Sequence, residues 1–169
     1  MGRTGLTKER ALARVNERLS FIEATLVDLR DRSLSFPCYS YSQTAEYRYR
    51  YLSRLGSAVL SLNHLRDDVN RLARHVGWTS AEVLALVDQS LPLRVIRRLA
   101  DSSKHGLGSN EGTGAAFMDL VWIQRGRAGS KAGPEDPVHV IGVLVADSED
   151  GTYASGSLLD EAVRHWADV

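Results

Sequence analysis

The sequence has few of the features that mark whole classes of protein. It contains a single cysteine, Cys38, so the chain forms no internal disulfide, which is typical of a protein kept in a reducing compartment. Lysine plus arginine number 21, and so do aspartate plus glutamate, which makes the formal net charge zero. Proteins that coat nucleic acid or acidic membranes depend on summed positive charge. The composition therefore argues against such a bulk role and leaves a local basic site open.

Long apolar runs are also missing from the chain. Its uninterrupted apolar stretches are far too short to span a bilayer, so no membrane partner is expected. The segment 1–10 is polar and lacks the apolar centre of a signal peptide. Leu6 stands where a myristoylation signal would have serine or threonine. These absences predict a cytoplasmic protein.

Helical periodicity dominates residues 1–106. In the first segment, apolar side chains recur at alternating spacings of three and four, at Leu12, Val15, Leu19, Ile22, Leu26 and Leu29. Thr7 stands where an N-cap is needed. A second, longer helix is predicted from about Ser42 to Val76, with Gly77 as the residue that ends it.

The clearest local signal in the chain is the start of a third helix. Thr79 and Glu82 have the spacing of a capping box, and Trp78 and Val83 have the spacing of a hydrophobic staple. This helix is predicted to end near Ser90.

Residue Ser90 also precedes a fourth predicted helix. Pro92 fits its first turn, where the missing N–H costs nothing, and the helix should run to about His105. Four helices with short connections predict a mainly α fold, an antiparallel four-helix bundle.

The character of the chain changes in segment 107–169. Two runs rich in β-branched and aromatic residues, 117–123 and 138–145, predict a β-hairpin whose strands flank a polar connection. A further short strand is predicted at 152–154, and Ser157 is predicted to cap a short closing helix. Some fifty residues would form a thin core alone, so the whole chain, 1–169, is predicted to be one domain.

One polar stripe stands out on the fourth predicted helix. At 100° per residue, Arg94, Arg98, Asp101 and His105 fall within about 60° of arc, and apolar residues occupy the opposite side. A histidine titrates near neutrality and can act as general acid or base on a ribose 2′-hydroxyl. An arginine beside it can stabilise the charged phosphorus transition state. The stripe predicts metal-independent RNA cleavage, with Asp101 orienting its neighbours and a two-fold dimer supplying both acid and base.

The segment from Arg98 to His105, an arginine and a histidine separated by six residues near the end of a late helix, resembles the HEPN superfamily. Many HEPN domains are dimeric ribonucleases of toxin, defence and RNA-processing systems. The resemblance implies catalytic roles for Arg98 and His105, a homodimer, RNA as substrate, and an antitoxin or regulator as protein partner. The chain departs from the HEPN pattern at Leu99, where a polar residue is usual.

The wider arrangement is similar to uncharacterised bacterial proteins with an Asp/Asn-x-x-Lys-His motif, strands and a short helix bearing tryptophan near its end. Asp101, Lys104, His105 and Trp166 stand at the matching positions. Together with Arg94, Lys104 is therefore a candidate for substrate binding.

A second candidate surface is the cluster of Tyr41, Tyr47, Arg48, Arg50 and Tyr51. Arg48 and Tyr51 are candidates to contact phosphate and to stack on a base. The alternative is that these tyrosines pack a helix start against its neighbours.

Some of these polar residues also have simpler interpretations. His64 and Asp68 share a helix face, but the chain has no Glu-x-x-His motif, so we expect no metal and no cofactor. The polar stripe could also be an ordinary helix surface with ion pairs such as Arg97 to Asp101. The chain would then be a non-catalytic dimeric binding or regulatory module.

Overall fold

The structure, a computed structural model, describes residues 7–30, 41–105, 117–124, 138–145 and 151–169. The fold is mainly helical, as predicted. In chain order the described elements are α1 (Lys8–Arg30), α2 (Tyr41–Ala73), α3 (Ser80–Gln89), α4 (Leu91–His105), β1 (Phe117–Gln124), β2 (Val138–Val145), β3 (Thr152–Ala154) and α5 (Ser155–Ala167).

The predicted start of the first helix and the predicted end of the second are confirmed. The backbone N–H of Arg10 donates to the Thr7 hydroxyl oxygen over 3.4 Å, which makes Thr7 the N-cap of α1. The last turn of α2 tightens into a 3₁₀ turn, Arg74–Val76. Gly77 follows with φ +87°, a left-handed conformation that favours glycine. The N–H of Trp78 then donates to the Ala73 carbonyl over 3.0 Å, as in a Schellman motif.

The predicted capping box at the start of α3 is also confirmed. The N–H of Glu82 donates to the Thr79 hydroxyl over 3.3 Å, and the N–H of Thr79 donates to the Glu82 carboxylate over 2.7 Å. The bond from the Thr79 backbone, followed by a bond from its hydroxyl, lowers the pKa of Glu82 below its ordinary value of 4.5. Local sequence therefore determines where α3 begins.

The core is centred on α2, which contacts α1, α3, α4 and α5. Most of the apolar side chains predicted for α1 and α2 meet there, but Leu12 and Val76 are exposed and lie outside the core. The largest fully buried side chains include Ile22, Leu55, Leu62, Leu65, Ile96, Leu99 and Leu159. Helix α5 packs against α1, α2 and α4 and buries Leu159 and Trp166. The helix predicted only to close the chain thus contributes to the central core.

The three strands form one antiparallel sheet in the order β1-β2-β3. Phe117 lies opposite Val145 and Gln124 opposite Val138, so β1 and β2 pair along their whole length. Residues 125–137, predicted as a polar connection, lie outside the described residues. The sheet meets the helices where β1 contacts α2 and α4, and where β2 and β3 contact α5.

The predicted start of the last helix is wrong by three residues. Helix α5 begins at Ser155, and its N-cap is Ala154, which makes no side-chain capping bond. Ala154 is still paired with Val143 in the sheet, so the chain passes directly from β3 into α5. That tertiary constraint replaces the cap expected from Ser157. None of the helices described is both long and apolar enough to cross a membrane.

Candidate functional site

Helix α4 has one buried face and one polar face. Val95, Ile96 and Leu99 are almost fully buried in the core, as the helical wheel predicted. Arg94 and Arg98 are half-buried on the other side of the helix, and Asp101 is exposed. The polar side chains thus project away from the core that holds the helix in place.

The first part of the polar face is bonded to the end of α3. The Arg94 guanidinium donates through Nη1 to the backbone carbonyl oxygen of Asp88 over 2.7 Å. Carbonyls at the end of a helix lack partners within it, and a cation is favoured there. Arg94, which the sequence suggested for substrate binding, therefore fastens α4 to α3 in the structure.

The neighbouring Arg97 has the same anchor. Its Nη1 lies 2.7 Å from Oδ1 of Asp88, and both side chains are partly exposed. Among the described residues Arg97 pairs with Asp88 and not with Asp101, its expected partner. The reason is tertiary, because α3 and α4 are in contact and bring Asp88 to Arg97.

The second part of the polar face carries Arg98, Asp101 and His105. The backbone of α4 stays helical to His105, its last residue. Seven residues at 1.5 Å each place Arg98 and His105 about 10 Å apart along the axis, with Asp101 between them. The side chains of Lys104 and His105 lie outside the described residues. The helix thus brings these predicted residues to one face through its backbone geometry.

Burial accounts for the apolar residue that follows Arg98. Leu99 is one of the largest fully buried side chains, and its neighbour Ala100 is buried as well. A polar side chain at this position would enter the apolar core and would need a partner there. An apolar residue is therefore required by the packing of α4.

The tyrosine cluster separates into a core part and a surface part. Tyr51 is only 6% exposed, and its ring centroid lies 6.1 Å from that of the buried Tyr47. A buried ring cannot stack on a base, so the packing role is the one observed for Tyr51. Arg48 is exposed and lines an open groove of about 470 Å³ with Ala45, Tyr49, Leu52 and Ser53.

The exposed aromatic of this groove is Tyr49, a residue that sequence reasoning missed. Tyr49 is 75% exposed. The signal was available in the sequence, because Tyr47, Tyr51 and Leu55 follow one another at intervals of four and share the core face. Tyr49 lies off that face and was therefore the member of the cluster most open to solvent.

The second feature that the sequence did not reveal is an ion triad between α1 and α2. Asp68 is buried; its Oδ2 lies 2.5 Å from Nε of Arg18 and its Oδ1 lies 2.8 Å from Nη1 of Arg71. The carboxylate considered beside His64 as a metal ligand is thus engaged by two guanidinium groups. The part of the chain that the structure describes contains no group of three or more side chains that could hold a metal ion.

Comparison of the chain with protein-family models, with characterised proteins and with solved structures finds no match in any of the three.

Proposed function

We propose that this chain is a metal-independent endoribonuclease of the HEPN type, with a defence or toxin role and a homodimeric active form. In this proposal α1 to α4 form the antiparallel four-helix bundle of that family, and the C-terminal hairpin and α5 are additions to it. The residues proposed to act are Arg98, Asp101 and His105.

The observation that supports the proposal is the two-sided character of α4. Its buried face fixes the helix in the core, and its polar face carries an arginine and an aspartate in register with the final histidine. A rigid helix is a good support for side chains that must be held in a defined geometry. Arg94 is bonded to the end of α3, so its role in this proposal is structural.

The chemistry follows from the residue types. His105 as general base takes the proton of a ribose 2′-hydroxyl, and the 2′-oxygen attacks the adjacent phosphorus. The bond from phosphorus to the 5′-oxygen breaks, and His105 of the second protomer as general acid protonates that oxygen. The products are a 2′,3′-cyclic phosphate and a 5′-hydroxyl. Arg98 stabilises the added negative charge on the phosphoryl oxygens, and Asp101 orients its neighbours.

A non-catalytic dimeric binding or regulatory module is the second candidate. The observation that favours it is the use of Arg94 and Arg97, both of which are bonded to Asp88 at the beginning of the same polar face. Cations that are bonded within the protein have a structural role and do not by themselves indicate a catalytic site. In this case the polar face of α4 serves as a dimer or partner interface.

The test is cleavage of labelled total RNA by the purified protein in the presence of EDTA. We expect the wild type to cleave and His105→Ala to lose at least about a hundredfold in rate, the usual contribution of a general acid or base. His64→Ala is the matched control, because His64 is an exposed histidine of α2.

Circular dichroism of both variants separates loss of chemistry from loss of fold. Equal cleavage by wild type and His105→Ala, or no cleavage by the wild type, would remove the nuclease proposal and leave the binding module. Loss of activity in His64→Ala as well would contradict the assignment to α4.

A further inference from the structure

The sheet has two outer edges that differ in length. One edge is β3, which has three residues and continues directly into α5. A strand this short offers few backbone groups for pairing. The other edge is β1, which has eight residues and pairs with β2 one to one from Phe117 to Gln124. Only β1 therefore presents a long edge.

The outer side of β1 carries a row of backbone donors and acceptors. Successive residues of an antiparallel strand direct their N–H and C=O groups alternately to the two sides of the strand. Half of the eight residues of β1 thus direct these groups away from β2. In the part of the chain that the structure describes, the backbone of β1 bonds to β2 alone. Such a row is a template on which another strand can pair.

The sequence of β1 lacks the features that protect an edge from pairing. Six of its eight residues are apolar, Asp119 is its single charged residue, and it contains neither proline nor lysine. Its one-to-one register with β2 also leaves no place for a bulge. Edges that stay unpaired are usually short, bulged, or interrupted by lysine or proline. The composition of β1 therefore favours an edge that another strand covers.

We infer that β1 pairs with β1 of a second copy of this chain, antiparallel about a two-fold axis. The three strands of each copy then form one sheet in the order β3-β2-β1-β1-β2-β3. Both outer edges of this sheet are the short β3, so no long edge remains. A strand from another protein would instead bring an outer edge of its own. Self-pairing closes the assembly, as two-fold interfaces do.

The two-fold axis restricts which residues can lie opposite each other. Opposite pairs along antiparallel strands alternate between hydrogen-bonded and non-hydrogen-bonded kinds. The axis exchanges each pair with another of the same kind, which is possible only if one residue lies opposite itself. Leu120 and Val121 are the central residues of β1, so an axis at either of them pairs the most residues. Leu120 at the axis pairs residues 117–123, and Val121 at the axis pairs residues 118–124.

Either register gives an interface of ordinary size. It provides about six to eight backbone hydrogen bonds, close to the average of about ten in a protein interface. Asp119 lies opposite Val121 or Ile123 of the second copy, so no like charges meet. Strand β1 also contacts α4, which places the interface beside the helix that carries Arg98 and Asp101. The inference deepens the proposed function by naming the contact of its homodimer, and it rests on that proposal for a dimeric active form.

Cysteine cross-linking of the full chain tests the register. Cys38→Ala removes the native thiol. Residues directly opposite have Cα atoms about 4.5 or 5.5 Å apart, a separation that a disulfide spans. We expect either Leu120→Cys or Val121→Cys, whichever lies at the axis, to form a covalent dimer under mild oxidation. Ile123→Cys is the matched control, because in both registers its two copies lie at least about 13 Å apart along the strands.

Proline substitutions test the pairing itself. The N–H groups of Leu120 and Val121 point to opposite sides of β1, so proline at one of them removes a bond to the second copy and keeps the ladder with β2. We expect that variant to stay folded by circular dichroism. Its dimer should dissociate about thirtyfold more easily in sedimentation equilibrium, because each copy loses one hydrogen bond. Proline at the other position should disturb the sheet.

Several results would overturn the inference. They are a wild type that sediments as a monomer, no disulfide at either central position, or cross-linking at Ile123 equal to that at the centre. Unfolding of both proline variants would mean that β1 is not an edge strand, and unchanged dimers in both would place the contact elsewhere. A cross-linked dimer that cleaves no RNA removes the nuclease alone. RNA cleavage by a protein that sediments as a monomer removes this interface alone.

Discussion

Two aspartates of this protein, Asp68 and Asp88, are each held by two arginines but in different surroundings. The Asp68 side chain is 3% exposed and receives Arg18 from α1 and Arg71 from its own helix. The Asp88 side chain is 48% exposed and receives Arg97, while Arg94 bonds to its backbone carbonyl. The residue types are the same, and burial is what separates the two sites.

Burial decides how much each of these arginines contributes to the stability of the fold. A buried carboxylate without its cations would be costly, so Arg18 and Arg71 are required where Asp68 is. An exposed pair is screened by water and contributes little, so Asp88 mainly fixes the geometry between α3 and α4. An arginine beside a carboxylate is therefore weak support for a binding site until its surroundings are known.

The largest effect is expected for Asp68→Ala. The change removes the buried carboxylate and the bonds that the half-buried Arg18 and the exposed Arg71 make to it, and we expect the free energy of unfolding to fall by about 2 kcal/mol, the size of a hydrogen bond to a charged group. Urea unfolding measures it. Asp67→Ala is the control, because the neighbouring Asp67 is half exposed and pairs with Arg66 on the surface. Equal losses for the two variants would show that burial of the carboxylate does not determine its contribution to stability.

A smaller effect is expected for Asp88→Asn. The exposed pair with Arg97 is lost, but the backbone carbonyl that accepts from Arg94 is retained. We expect a loss of less than about 1 kcal/mol, which high salt should reduce further. A loss as large as that of Asp68→Ala would mean that the junction of α3 and α4 carries much of the stability of the fold.

The smallest effect concerns Glu82, a carboxylate held by neutral donors. The Thr79 backbone N–H and hydroxyl lower its pKa in the folded chain, so ionised Glu82 favours folding. This contribution is complete above the ordinary pKa of 4.5 and is lost as the pH falls through the lower folded pKa. As the pH is lowered through 4.5, the urea midpoint should therefore fall more steeply for the wild type than for Glu82→Gln. Parallel curves would exclude the carboxylate as a source of this pH dependence.

The sequence predicted the parts of the fold that depend on neighbouring residues. The cap at Thr7, the reversal at Gly77 and the box of Thr79 with Glu82 are all settled within a few positions along the chain. The start of α5 could not be found in this way. Ser157 is a good local cap, but pairing of Ala154 in the sheet decides where the helix begins.

The candidate site also has a part that local sequence predicts and a part that depends on other helices. Helical spacing alone predicts that Arg98, Asp101 and His105 share a face. Whether Arg94 is available to bind a substrate depends on Asp88, which belongs to another helix. In the same way, one partner of Asp68 is Arg18, which lies fifty positions away. Periodicity within one helix identifies a face but does not tell which of its side chains another element will bind.

The packing of α5 against α1 has a consequence for synthesis on the ribosome. These helices are separated by more than a hundred residues, yet both border the central helix α2. At ordinary elongation rates, on the order of ten seconds pass between the emergence of the first and the last of them. During that interval the nascent chain exposes the apolar side chains that Leu159 and Trp166 later cover. Early chaperone contact would shield this surface until translation of α5 is complete.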